Sequence, residues 1–218
     1  MRHYGNYSRH EATRDSRLIV IAAEGERTEK IYFEALRAYA RNSRVHIKIL
    51  ERDEENKHNS APEYVLEQLT QYKTEHALEQ DDELWLVIDR DDWKPTALRV
   101  VAQKCAQDEA FHMALSNPCF ELWLLLHLED VSSVSEEEKE RIKRNSREGT
   151  NDPYLKREMR RLMGGSYNES RYNAFVLVPH VQDAISRAEI LDVDKQARWP
   201  QELGTRVYLL AQSILRKE

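Results

Sequence analysis

Leu84-Trp85-Leu86-Val87-Ile88, followed at once by Asp89-Arg90-Asp91-Asp92, is the stretch on which the reading of this chain turns. Five consecutive apolar residues without alternation describe a strand buried on both faces, as in the middle of a parallel sheet. A second such run lies upstream, Leu18-Ile19-Val20-Ile21-Ala22-Ala23, and ends in Glu24-Gly25-Glu26. Charge therefore stands where the hydrophobic pattern is deepest, at the carboxyl ends of two strands. In a parallel sheet, functional groups gather in the crevice beyond those ends. If the two strands are neighbours, Glu24, Asp89 and Asp91 converge, because residues 89 and 91 point the same way in extended backbone and Arg90 points elsewhere. Three clustered carboxylates without an equal number of bases disfavour full ionisation. A hard cation, Mg2+ or Mn2+, is the usual remedy, and it binds substrate phosphate as well. Acidic residues after a strand also serve as helix caps, so each is weak alone. Two strand ends together are the stronger signal.

Outward from these strands the pattern alternates. A helix is expected over 28–41, with Ile31, Ala35, Leu36 and Tyr39 on one side, then a strand over 45–50. Ser60-Ala61-Pro62-Glu63 reads as a capping box with Pro in the first turn, opening a helix that carries Val65, Leu66, Leu69 and Tyr72. A helix over 96–108 follows the Asp-rich run, then a strand over 111–115. Strand–helix alternation of this kind gives an α/β fold with a parallel-rich sheet flanked by helices. Asn117-Pro118 is expected to open a helix apolar nearly all round, with Asn117 as its N-cap and Phe120, Leu122, Trp123, Leu124, Leu125, Leu126 and Leu128 buried. His127 on that helix reads as a core histidine. Ser135-Glu136-Glu137-Glu138 is another capping box, and three helices follow, over 153–163, 179–191 and 203–216. The chain thus divides into a flexible arm (1–16), an α/β core (17–130) and a mainly helical C-terminal extension packed on it (131–218).

Composition narrows the function. The 218 residues are 40% hydrophobic, enough for a core, and 33% charged. The longest nearly apolar stretch, from Leu122 to Leu128, is far below the ~20 residues of a membrane span. The polar start Met1-Arg2-His3-Tyr4 lacks the apolar segment of a secretory signal, so a cytoplasmic protein is expected, with Cys105 and Cys119 as reduced, half-buried thiols. A net charge of −6 excludes a globally basic nucleic-acid binder, but the charge is uneven. Residues 51–92 hold 14 acidic against 4 basic residues, whereas 141–171 hold 9 basic against 4 acidic. The basic segment, with Arg157, Arg160 and Arg161 and interleaved tyrosines, suits a phosphate backbone; a solvated helix face fits the same charges. Arg27, Lys30, Arg90 and Lys94 flank the acids and suit phosphate or a transition-state charge; solvated ion pairs fit the same residues. Neither a Gly-x-x-x-x-Gly-Lys-Ser/Thr loop nor a Gly-x-Gly-x-x-Gly motif occurs.

Three runs taken in order carry a family resemblance: Glu24-Gly25-Glu26-Arg27-Thr28-Glu29, then 84–92, then Ser116-Asn117-Pro118-Cys119-Phe120-Glu121-Leu122-Trp123-Leu124-Leu125-Leu126-His127. Together with Gly204-Thr205-Arg206-Val207 they resemble the RloB family, bacterial proteins regarded as TOPRIM-fold and encoded near phage-defence genes. The resemblance implies a TOPRIM-like domain and a Mg2+-dependent nuclease acting on DNA or RNA in antiphage defence. Glu24 then matches the acid of the first motif, a metal ligand or general base, and Asp89 and Asp91 match the Asp-x-Asp metal ligands. Trp93 stands where many such enzymes carry a further Asp. Glu121, one turn into the Asn117 helix, is a candidate fourth acid of the site or a capping-type carboxylate near free backbone N–H groups. Nucleic acid and a defence-system protein are the implied partners. The alternative is a non-catalytic TOPRIM-like module that binds nucleic acid or a partner.

Overall fold

The computed structural model describes residues 16–42, 44–51, 61–90 and 93–216. The strands are β1 (Arg17–Ala23), β2 (Val45–Ile49), β3 (Glu83–Asp89), β4 (Phe111–Asn117) and β5 (Gly204–Thr205). The helices are α1 (Thr28–Ala40), α2 (Pro62–Glu75), α3 (Pro95–Cys105), α4 (Glu121–Leu126), α5 (Glu136–Arg144), α6 (Tyr154–Leu162), α7 (Val181–Leu191) and α8 (Val207–Leu215). One sheet of order β2-β1-β3-β4-β5 results, with β1 to β4 mutually parallel and β5 antiparallel to β4.

The alternation of strand side chains sorts the core into two layers. Leu18, Val20 and Ala22 of β1 join Leu84, Leu86 and Ile88 of β3 against α2 and α3. Ile19 and Ile21 join Trp85 and Val87 on the opposite face, against α1, α4 and the helices after residue 130. That second cluster runs from Tyr32 and Phe33 through Trp123 to Leu155, Ala184 and Leu210. The C-terminal helices therefore complete the same core that β1 and β3 begin. The expected α/β class, with its parallel-rich sheet and helical C-terminal part, is the fold observed.

Several boundaries differ for physical reasons. Asn117 does not cap a helix. It ends β4, the Asn117–Pro118 peptide is cis, and α4 begins only at Glu121 with Phe120 in the cap position. The Asn117 amide instead donates to the carbonyls of Gln201 (3.1 Å) and Glu202 (2.9 Å), tying β4 to the loop before β5. The single helix expected over 203–216 is a two-residue strand followed by α8, because Gly204 and Thr205 take the free edge of β4. Residues 106–108 lie beyond α3, which ends at Cys105. Both cysteines are buried rather than half-buried, and burial raises the Cys105 thiol to about 11. Ser60, Asp91, Asp92 and all of the expected arm except Ser16 lie outside the described residues. Ser135 does cap α5: its hydroxyl accepts from the Glu138 N–H at 3.2 Å, while the Glu138 carboxylate accepts from the Tyr154 hydroxyl.

Candidate functional site

β1 and β3 are direct neighbours, pairing up to Ala23 opposite Val87, so their carboxyl ends open into one crevice. Just past the pairing, the Glu24 N–H donates to the Val87 carbonyl (2.9 Å) and carries the β1 backbone one residue further. The Glu24 side chain then turns across the strand end. Its Oε2 accepts from the Asp89 N–H at 3.1 Å, and its Oε1 accepts from the Trp93 indole N–H at 2.8 Å. The tryptophan that replaces the expected further acid thus orients Glu24.

Glu24 and Asp89 line a cavity of about 490 Å3 together with Glu29, Glu121, Arg27 and Lys156. Arg147 and Glu169 also line it. Glu121 begins α4 and is 5% exposed. Its Oε1 accepts from the Tyr167 hydroxyl at 3.2 Å and lies 4.0 Å from the Lys156 Nζ. Burial first, and the Glu121 charge next, hold the Tyr167 hydroxyl well above its usual range, so it remains a donor. Burial would lower Lys156, but its hydrogen bond to Glu169 and the charge of Glu121 leave it raised and cationic. The Tyr172 hydroxyl donates to the Thr28 carbonyl at 2.8 Å, closing residues 167–172 over the start of α1.

Glu29 was not among the expected site residues. It lies in the first turn of α1, only 4% exposed, and its Oε2 has no hydrogen-bond partner among the described residues. Desolvation is the main cause that pushes its carboxyl up to about 7, partly offset by backbone N–H groups, with the charges of Glu121 and Glu24 adding to the rise. The signal was present in the sequence. Glu29 shares the helix stripe 29, 32, 33, 36 with buried Tyr32, Phe33 and Leu36, and a carboxylate on an apolar stripe is costly unless it has a use. Gly25 makes the room: a Cβ there would lie 2.0 Å from Glu29 Oε2. Gly25→Ala is therefore expected to push the Glu29 carboxylate aside into the cavity it lines and to destabilise the fold by about 1 kcal/mol, the low end of overpacking costs. Most of that loss should vanish when Glu29→Ala is added, because the clash is with that carboxylate. A double-mutant cycle in urea measures the coupling; strictly additive losses would disprove the contact.

The other expected residues separate into groups. Arg27 is exposed on the rim of the acid cavity. Lys30 pairs with Glu51 beside an adjoining cavity. The Arg90 Nη1 donates to the Trp93 carbonyl at 2.8 Å, and Lys94 is exposed at the start of α3. Arg157, Arg160 and Arg161 do not line the acid cavity. Each is ion-paired, with Glu148 (2.8 Å), Asp152 (2.7 Å), and Glu158 (2.7 Å) and Glu129 (3.0 Å) respectively. From the same segment it is Lys156 and Arg147 that reach the cavity. His127 is the core histidine expected, bonded to the Tyr32 hydroxyl and the Trp123 carbonyl, both at 2.9 Å, and burial lowers it to about 4.

Among the described residues, no three His, Cys, Asp or Glu side chains are gathered closely enough to hold an ion by themselves; Asp91 lies outside those residues. The cavity's carboxylate oxygens are donors of the type a hard cation takes. The Glu29 Oε2 is buried without a hydrogen-bond partner among the described residues, and the Lys156 ammonium, paired with Glu169, stands 4.0 Å from Glu121. Among the described residues, no helix is long and apolar enough to cross a membrane.

Comparisons with known proteins divide sharply. No curated protein and no solved structure matches the chain. A family model described as RloB-like protein matches residues 19–214, which takes in Glu24, Glu29, Asp89 and Glu121 and nearly the whole of the sheet and its helices. The chain belongs to the RloB-like family.

Proposed function

We propose that the protein is a metal-dependent phosphodiesterase of the TOPRIM type that cleaves DNA or RNA, serving antiphage defence. The observation that carries this reading is the meeting of Glu24 and Asp89 from adjacent strand ends on one cavity whose floor is acidic and whose rim carries Arg27, Arg147 and Lys156. Glu24, Asp89 and Asp91 would hold Mg2+ or Mn2+. When bound, the ion supplies charge neutralisation at the scissile phosphate and a more acidic water. The chain's own residues do the rest. Trp93 and the Asp89 N–H fix the Glu24 carboxylate, and the rim cations orient the phosphate backbone. Glu121 holds Lys156 and Tyr167 in place at the wall.

One observation favours a second reading, a non-catalytic binding module: both Glu24 oxygens already accept hydrogen bonds from the protein. Metal and cleavage separate the two. In the nuclease reading, Mg2+ or Mn2+ raises the melting temperature by linkage, and labelled DNA or RNA is cut in the presence of the ion but not in EDTA. Asp89→Asn should abolish both effects while leaving the metal-free melting temperature unchanged or higher, since it removes one of several like charges. A large loss of stability without metal in Asp89→Asn would instead assign Asp89 a structural role and support the module.

A further inference from the structure

At the far end of α1, about 20 Å from Thr28 by the rise of a 13-residue helix, lies a second and larger groove of about 970 Å3. It is bounded by the end of α1, the turn at Ala174–His180, the start of α7 and the end of α8. Tyr39 and Phe175 line it, 45% and 60% exposed, and Val176 beside them is 48% exposed. Arg41 and Arg44 line it too, both exposed, and neither makes an ion pair among the described residues. Among the described residues, no acidic side chain lines the groove. In a chain of net charge −6 this is unusual. The contrast with α5 and α6 is direct, because there Arg141, Lys143, Arg144, Arg157, Arg160 and Arg161 all face carboxylates. Most cations of α5 and α6 are thus neutralised, whereas the guanidinium groups that line this groove make no ion pair among the described residues.

We propose that this groove binds single-stranded nucleic acid, with unpaired bases stacked on Tyr39 and Phe175 and phosphates held by Arg41 and Arg44. Exposed rings beside unpaired arginines are the two parts that single-strand sites combine, since every base has a face to stack and every linkage a charge. A duplex keeps its bases stacked on one another and leaves the rings uncovered. An acidic peptide would satisfy the arginines but bring no flat apolar face to the rings. The proposal rests on the nucleic-acid part of the function above, not on the metal or on cleavage. It adds a holding site remote from the acid cavity, at the amino ends of the strands.

The test is fluorescence anisotropy in EDTA with a labelled single strand of ~12 nucleotides, long enough to cover one such site. Phe175→Ala should weaken binding roughly 10-fold or more at every salt concentration, with the salt slope unchanged. Arg41→Gln and Arg44→Gln should each flatten the slope by ~0.7, the share of one phosphate contact on a single strand. Phe175 and both arginines are exposed, so the variants should melt as the parent does, and circular dichroism checks this. The proposal is overturned if these variants bind as the parent does, or if the parent does not bind. It is also overturned if a matched duplex binds as tightly, or if poly-glutamate competes as well as an unlabelled oligonucleotide. Metal-dependent cleavage that survives in variants with normal binding would sink this site and leave the nuclease standing. Groove-dependent binding without any cleavage would do the reverse.

Discussion

Glu29→Gln should raise the melting temperature at pH 8 and raise it only about a quarter as much at pH 5. The carboxyl titrates at about 7 in the folded chain, raised from 4.5, chiefly because burial penalises its charge. A raised acid stabilises the fold when protonated, so this contribution is complete below pH 4.5 and is lost as pH climbs through 7. At pH 8 the folded protein must carry the buried charge beside Glu121 and Glu24, whereas a neutral amide of the same shape does not. The full shift corresponds to on the order of 3 kcal/mol, or roughly 6–12 °C for a domain of this size. Differential scanning fluorimetry across pH 5–8 reads it directly. Millimolar Mg2+ should narrow the gap at pH 8 if an ion neutralises the acid cluster. Equal melting temperatures at pH 8 without metal would show that Glu29 is not charged there, or not buried.

Arg206→Ala should lose ~3–5 kcal/mol, the loss typical when one partner of a buried ion pair is removed. Arg206 and Asp192 are 8% and 3% exposed. The guanidinium grips the carboxylate in two places, Nε to Oδ2 at 2.9 Å and Nη2 to Oδ1 at 3.2 Å. It also donates to the carbonyls of Ala197 (2.7 Å) and Asp194 (2.9 Å), and Tyr208 donates to the same Asp192 Oδ2 at 3.1 Å. Truncation leaves a buried carboxylate with only Tyr208 opposite it and strips two carbonyls of their donor. Arg206→Lys should also be costly, because an ammonium cannot reproduce the fork. Replacing both partners with apolar residues of similar volume should cost far less than either single change. Urea unfolding measures all four proteins, and a loss below ~1 kcal/mol for Arg206→Ala would contradict the role given to this pair.

What the sequence disclosed and what it hid follow from the range of the interactions. β1 and β3 were legible because burial on both faces leaves uninterrupted apolar runs, and Glu24 and Asp89 were legible because charge ends those runs. The acidity of the crevice needed only the two strands to be neighbours. β5 was hidden because two residues make no period, and its pairing with β4 spans a long sequence gap. The start of α4 was misjudged because Asn117, a good cap by type, bonds to carbonyls some eighty-five residues away. Likewise the basic run showed its cations, whereas the neutralising role of Glu129, Glu148 and Asp152 appears only in three dimensions. The Trp93 bond to Glu24 has no local signature at all. Glu29 is the exception: its place on the apolar stripe was readable.

The two-residue strand β5 has a consequence during synthesis. β4 ends at Asn117, and the residues that cover its outer edge, Gly204 and Thr205, are made much later. At ~5–20 residues per second, that interval lasts on the order of 5–20 s. Throughout it, a nascent chain with β1 to β4 assembled presents an open, hydrogen-bonding sheet edge, the kind of surface that recruits a second chain. Crowded polysomes making this protein are therefore more exposed to strand exchange in that window, and arrival of the Gly204–Arg206 segment shortens the open edge by covering Leu115 to Asn117 and locking Arg206 onto Asp192.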